Sequence, residues 1–280
     1  MEHEDHLHAA AKYFNLGHIE NSSPIESGIG NKTFKVITDK GTYILRVLVS
    51  QKKEFIANED AVQKQLKAHH IRASEFITTP SYEFQYKGIT ITCSTYIPGT
   101  HPSGVDIEIS RKLGSLLAAF HVSVTSLPVP YKGWFHREII EESLRAHTDS
   151  KIVKEAQTIY KKVDYVSTLN VPRGIIHGDF RMANTLITES CTIALLDFEE
   201  ASENPLIYDV GYALCGELRE IRLKKVFLEG YESVRPLTDQ EKKILPDVSR
   251  YTGIATVGWL LNKNREDFAR EQLEVVKKIV

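Results

Sequence analysis

Three oxygen-bearing side chains in the second half of the chain carry the strongest chemical signal. In IIHGDFRMANTLIT, Asp179 and Asn184 stand five residues apart, and Asp197 follows thirteen residues later in ALLDFE. Between them TLIT and TIALLDF read as short strands joined by Glu189-Ser190-Cys191, and a hairpin of that length returns Asp197 beside Asn184. One carboxamide and one carboxylate suit Mg²⁺, a hard cation that takes few protein ligands and keeps its other positions for water and phosphate. Asn184 and Asp197 are therefore the expected metal ligands. Asp179 is left to orient a substrate hydroxyl and to accept its proton as a phosphoryl group is transferred. A loop Asp and Asn that merely cap turns is the bland alternative, and Asp197 together with an upstream charge pair argues against it.

That pair begins with Arg46, in the middle of TYILRVL, where Tyr43, Leu45 and Val47 alternate with Ile44 and Leu48. Apolar side chains on both faces mark a strand covered on both sides, and an unpaired guanidinium there costs several kcal/mol. In the next stretch Phe55, Glu59, Val62 and Leu66 are spaced by four, three and four, which puts Glu59 in the apolar stripe of a helix. A carboxylate facing inward needs a cation, so Arg46 is expected to pair with Glu59, with its remaining donors available to a phosphate. A purely structural buried pair stays open as the alternative. Upstream, SGIGN leads into a strand, and Gly28 and Gly30 would let backbone amides approach phosphate oxygens closely. Turns of this type between strands are common, and Thr33 stands where a third glycine of the full pattern would fall.

The elements that must position these groups change character along the chain. Ile25 to Val49 reads as a strand hairpin around Asp39-Lys40-Gly41, Lys53 to His69 as a helix, and EFQYK with GITITCSTYI as a second strand pair ending at Pro98-Gly99. After Gly99 apolar residues recur at helical spacing, as in Leu113, Leu116, Leu117 and Phe120 and again from Ile152 to Val166. The closing NREDFAREQLEVVKKIV reads as an amphipathic helix. Neither an internal repeat nor a linker-like tract divides the chain. A β-rich part, a short connector and a helical part with one hairpin make up the expected order.

The segments SGIGNKTFKV, YILRV, STYIPG, HGDFRMAN, LLDFEEA and YDVG, with Glu59, resemble the aminoglycoside phosphotransferase and choline kinase superfamily, which includes homoserine-kinase-like enzymes. The resemblance spans about Ile25 to Leu214, and HGD-x4-N followed by a D-F-E strand end is its most specific part. It implies an α+β, two-lobed protein-kinase-like fold, with a β-rich nucleotide-binding lobe at 1–94, a hinge at 95–99 and a mostly helical catalytic and substrate-binding lobe at 100–280. It also implies Asp179 as the base, Asn184 and Asp197 on Mg²⁺, Gly28, Gly30 and Asn31 over the phosphates of ATP or GTP, and Thr95 and Ile97 meeting the adenine edge through backbone groups. Asp209 of YDVG would brace the catalytic loop, and His177 would shape it. His121 matches a position that is often histidine, where a packed or capping role is the plain reading. The family usually carries Lys where this chain has Arg46; Arg keeps the charge but has a wider head.

Composition excludes several classes. A formal net charge of −2 over 280 residues provides no global field to recruit nucleic acid or an acidic membrane surface, and no apolar run is long enough to span a bilayer. Cys93, Cys191 and Cys215 show none of the paired spacings of zinc or redox motifs. The polar start MEHEDHLHAA reads as a solvated helix surface without a secretory signal, so a cytoplasmic protein is expected, as a monomer or homodimer. His3, His6 and His8 receive no metal role. From Asp197 to Asp209 there are twelve residues, too few for a protein kinase's regulated activation segment. The expected partner is thus a small-molecule hydroxyl acceptor: an amino alcohol, amino acid, amino sugar or antibiotic. Glu199, Glu200 and Glu203 could form an acidic rim for an amine or simply a solvated face. The rival from another class is a nucleotide-binding pseudokinase acting as sensor or scaffold.

Overall fold

Alternating apolar side chains on either side of Asp39-Lys40-Gly41 fold into a hairpin, and a sheet grows outward from it. The computed structural model describes residues 4–25, 31–48, 53–148 and 150–279, so Gly28 and Gly30 lie outside the described residues. The chain divides into two compact units, Met1–Thr100 with Leu186–Glu199, and His101–Thr185 with Glu200–Val280.

The first unit starts with α1 (Glu4–Tyr13), β1 (Ile19–Ile25), β2 (Lys32–Thr38), β3 (Gly41–Leu48), α2 (Lys53–Ala68), β4 (Glu83–Tyr86) and β5 (Ile89–Thr95). Its strands form one antiparallel sheet in the order β1-β2-β3-β5-β4. Val36, Leu45, Val47, Ile91 and Cys93 make a core with Leu7, Ala10, Ala11, Phe14 and Leu16. The amino-terminal helix, its histidines expected on a solvated surface, also buries one side, at Leu7, Ala10 and Ala11: its apolar stripe is built largely from alanines, which signal weakly among His and Glu. Each fully buried Leu or Phe contributes about 1.5–3 kcal/mol. Strand β1, IENSSPI, was not foreseen either. It lies at the edge of the sheet, where polar residues and Pro24 are tolerated because few ladder donors are required.

The second unit contributes α3 (Ile107–Ser123), α4 (Arg137–Arg145), α5 (Lys151–Val163), a 3-10 turn at Asp164–Thr168, β6 (Arg173–Ile176) and a second 3-10 turn at Met182–Asn184. The hairpin β7 (Thr185–Ile187) and β8 (Ile193–Leu195) follows, then β9 (Ser202–Pro205), α6 (Ile207–Cys215), α7 (Ile221–Glu232), α8 (Asp239–Asn262) and α9 (Glu266–Lys277). Asp106 caps α3 by accepting from the Ile109 amide at 2.8 Å, and Thr238 and Glu241 form a capping box on α8; both satisfy amides that the first helical turn leaves open. Strands β6 and β9 pair antiparallel. The Leu186–Glu199 segment groups with the first unit through backbone bonds: Ile187 exchanges two with Thr100 at 2.9 and 3.0 Å, the Leu195 amide donates to Arg72 O at 2.9 Å, and the Ser74 amide donates to Leu195 O at 3.1 Å.

Candidate active site

In the first unit, register places Arg46 opposite Thr33 and Thr92, in the middle of the sheet. Alternation sends its side chain to the face away from Leu45 and Val47, where α2 offers Glu59, 2 % exposed. The guanidinium pairs with Glu59 through Nη2, and Nη1 lies 3.5 Å from Asp197 Oδ1. Burial pushes the Glu59 carboxyl up, while Arg46 and the Phe198 backbone pull it back down. For Arg46 burial opposes the charge, but Glu59 and Asp197 outweigh it and the guanidinium stays protonated.

Asp197 sits at φ +59°, a left-handed conformation that costs a non-glycine residue about 1–2 kcal/mol. Its Oδ1 is buried and receives no hydrogen bond, with Arg46 as its charged neighbour. A strained carboxylate with an unsatisfied oxygen is a fitting ligand for a hard cation. Beside it, Asn31 Nδ2 donates to Glu199 Oε2 at 3.1 Å. The Thr95 amide is committed to Glu75 O at 2.9 Å, and Ile97 is buried. Gly99 allows a close approach, since a Cβ there would lie 2.7 Å from Ile187 O.

In the second unit, β6 ends at Ile176 and the chain turns through Gly178 at φ +83°. A Cβ there would fall 2.3 Å from Glu200 O, so glycine alone makes the turn. Asp179 follows, and its carboxylate is held from both ends. Tyr212 OH donates to Oδ1 at 2.7 Å; Asn184 Nδ2 at 2.8 Å and Arg181 Nε at 3.1 Å donate to Oδ2. Asn184 Nδ2 also donates to the Asp179 carbonyl at 2.8 Å. With its nitrogen turned to Asp179, buried Asn184 keeps the amide oxygen, the hard donor, for a cation. A pocket of about 100 Å³ adjoins this loop, walled by Leu113, Phe180, Met182, Leu218, Tyr212 and Glu217 among others. Glu217 Oε2 accepts the Met182 amide at 2.7 Å.

Asp209, fully buried, locks the loop's backbone. It accepts from the His177 amide at 2.6 Å, the Gly178 amide at 3.0 Å and His121 Nε2 at 3.0 Å. A carboxylate can only accept, so Nε2 carries the imidazole proton and Nδ1 accepts from Tyr231 OH at 2.7 Å. Tyr231 OH in turn accepts from Arg235 Nη1 at 3.1 Å. Burial pushes the His121 pKa down, against the pull of Asp209, which keeps the ring neutral. The plain packed-histidine reading captures the burial but not this chain of donors.

The sequence-derived residues fall into two sets. Arg46, Glu59, Asp197, Asn31, Thr95 and Ile97 belong to the first unit, and Asp179 and Asn184 to the second. The suggested acidic rim is partly engaged elsewhere: Glu199 by Asn31 and Glu200 by Tyr131 OH at 2.9 Å. Tyr212, Glu217 and Trp134, which reach the HGD-x4-N loop, carried no motif of their own. Tyr212 lies three residues after Asp209 in YDVGY, one helical turn on, and that spacing was the available signal.

A β-rich amino-terminal part, a mostly helical carboxyl-terminal part and a braced HGD-x4-N loop define a kinase-like α+β phosphotransferase. Residues 22–241 match the model of the phosphotransferase enzyme family, and the chain belongs to that family. Its relatives include a homoserine kinase of Methylobacillus glycogenes, 23 % identical over 266 residues that cover 90 % of this chain and 82 % of the relative. Among solved structures, a microcompartment-associated aminopropanol kinase superposes with a TM-score of 0.71 at 16 % identity, covering 96 % of this chain and 95 % of the other. A choline kinase from Streptococcus pneumoniae gives 0.69 at 16 % identity, over 98 % and 99 %. The chain is a small-molecule kinase with an alcohol group as acceptor. Among the described residues no helix is long and apolar enough to cross a membrane.

Proposed function

We propose that this enzyme transfers the γ-phosphate of ATP to the hydroxyl of a small amine-bearing molecule, with a hydroxylated amino acid such as homoserine as the leading acceptor. The observation that carries the reading is the Asp179 carboxylate, pinned by Asn184 and by Tyr212 and Arg181, two residues that also wall a pocket of about 100 Å³. Asp179 orients the acceptor hydroxyl and takes its proton. Asn184 and Asp197 would hold Mg²⁺, which supplies charge neutralisation on the phosphates. Arg46, braced by Glu59, contacts phosphate; Gly28, Gly30 and Asn31 cover the phosphates. Of the two hinge residues Ile97 supplies the amide for the base, because the Thr95 amide is committed to Glu75. GTP would satisfy the same phosphate contacts.

Size and charge favour the small acceptor. The pocket of about 100 Å³ suits a small acceptor. Glu217 provides an anion on its wall for an ammonium group. Relatives named homoserine kinase align along most of the chain. A screen of homoserine, amino alcohols, choline, amino sugars and antibiotics for acceptor-stimulated ADP release tests the proposal. Mg²⁺-dependent turnover highest with homoserine or a close analogue supports it. Nucleotide binding without turnover on any acceptor would instead favour a sensor or scaffold.

A further inference from the structure

We infer that Tyr212 is the positioning residue of this kinase, setting which oxygen of Asp179 faces the acceptor. The inference rests on Asp179 being the base. A carboxylate rotates about its last bond, and proton transfer requires one oxygen to be aimed at the acceptor hydroxyl within hydrogen-bond reach. The side chains of Arg181, Asn184 and Tyr212 all hold Asp179, and they differ in stiffness. Arg181 is a long side chain, 44 % exposed, two residues away on the same loop. Asn184 anchors Oδ2 and the main-chain carbonyl, so it ties the carboxylate to its own loop, while a bond from outside the loop is needed to aim the group relative to the rest of the core.

Tyr212 reaches Oδ1 from helix α6, outside the loop, at 2.7 Å, and its ring is clamped. Trp134 packs edge-on against it, with centroids 5.5 Å apart and planes at 88°, and Phe135 lies at 5.5 Å on a tilted plane. Trp134 is itself tied to the loop, for its Nε1 donates to Gly178 O at 2.7 Å. One aromatic cluster therefore grips the residue before Asp179 and the outer oxygen of Asp179 together. Tyr212 also walls the pocket, so the same ring that aims the base borders the volume assigned to the acceptor. Burial, with the Asp179 charge beside it, holds the Tyr212 phenol well above its ordinary value, so the hydroxyl remains a donor across the working pH range.

Tyr212→Phe deletes the donor and leaves the ring packing in place. The expected result is a kcat lower by about tenfold to a hundredfold, the scale of a misaimed catalytic group, with the KM for ATP unchanged and the thermal midpoint within about a degree or two of wild type. Trp134→Phe, which removes the tie to Gly178 O but keeps an aromatic plate, should show the same split with a smaller loss, and it serves if Tyr212→Phe does not fold. Wild-type kcat in Tyr212→Phe overturns the inference, as does a loss that appears equally in both KM values and follows a lowered thermal midpoint. A wild-type enzyme with no acceptor-stimulated turnover, or an active Asp179→Asn variant, refutes the underlying reading of Asp179 instead, so the two failures are distinguishable.

Discussion

The two units hold the charged groups of their candidate sites in opposite ways. In the first, charge faces charge: the Arg46 guanidinium stands between the Glu59 and Asp197 carboxylates, and Asp197 Oδ1 receives no hydrogen bond. In the second, Asp179 and Asp209 are held largely by neutral donors: a phenol, a carboxamide, an imidazole and two backbone amides, with Arg181 the single cation among those bonds. Charges that balance each other can be re-paired when a triphosphate and a cation arrive. Neutral donors fixed in a core give a carboxylate one orientation and little freedom to leave it. The contrast suits the roles proposed here, because the phosphate side must accommodate an incoming charge and the base must keep its aim.

Substitutions can break this contrast, beginning with the most damaging. Asp179→Asn keeps the shape of the loop but removes the proton acceptor, and kcat should fall by about 10²–10⁴-fold in steady-state assays while nucleotide binding, read by calorimetry, holds. Glu59→Gln takes from buried Arg46 its hydrogen-bonded anion; a loss of about 3 kcal/mol is expected in urea unfolding, since breaking a buried pair leaves a poorly compensated charge. His121→Gln exchanges the neutral imidazole donor for an amide donor of different shape and reach instead, and a smaller loss of about 1–2 kcal/mol is expected in the same experiment. If the two losses were equal, the distinction between charge-balanced and donor-balanced units would fail.

A pH series sharpens the point. Burial lowers the pKa of His121 in the folded protein, so as pH falls through about 6.5, the ordinary value, the unfolded chain takes up a proton that the folded chain resists. Stability contributed by the neutral ring is fully present above that pH and is lost below it. Unfolding midpoints measured at pH 7.5 and 5.5 should therefore drop more steeply for wild type than for His121→Gln, by at most about 1.4 kcal/mol per pH unit. The smallest effect belongs to Asn31→Ala. It removes one part-buried bond to Glu199, for which about 1 kcal/mol should appear as a raised KM for ATP with kcat unchanged.

Much of the molecule was legible from local pattern. The hairpin around Asp39-Lys40-Gly41, the helix that carries Glu59 and the β7–β8 hairpin between Asn184 and Asp197 follow from periodicity and turn chemistry, and each forms close to its expected bounds. The Arg46–Glu59 pair was legible because a charge in an apolar stripe has to find its opposite. Strand β1 escaped because an edge strand has no buried face to advertise. The apolar side of α1 escaped because alanines spaced among His and Glu show little contrast until a sheet covers them. Tyr212 escaped for a different reason: it meets Asp179 across 33 residues, and a tyrosine inside an apolar helix looks like core.

The sequence by itself determined the chemistry available: which side chains can bind a hard cation, which can take a proton, and where glycine or a tight turn has to fall, because those depend on residue type and on neighbours a few positions away. Tertiary structure decided how those groups are held. His121 finds Asp209 across 88 residues and Tyr231 across 110, and such partners are selected by the packing of whole helices, whose buried faces can satisfy a polar group in more than one way until the core closes around one of them.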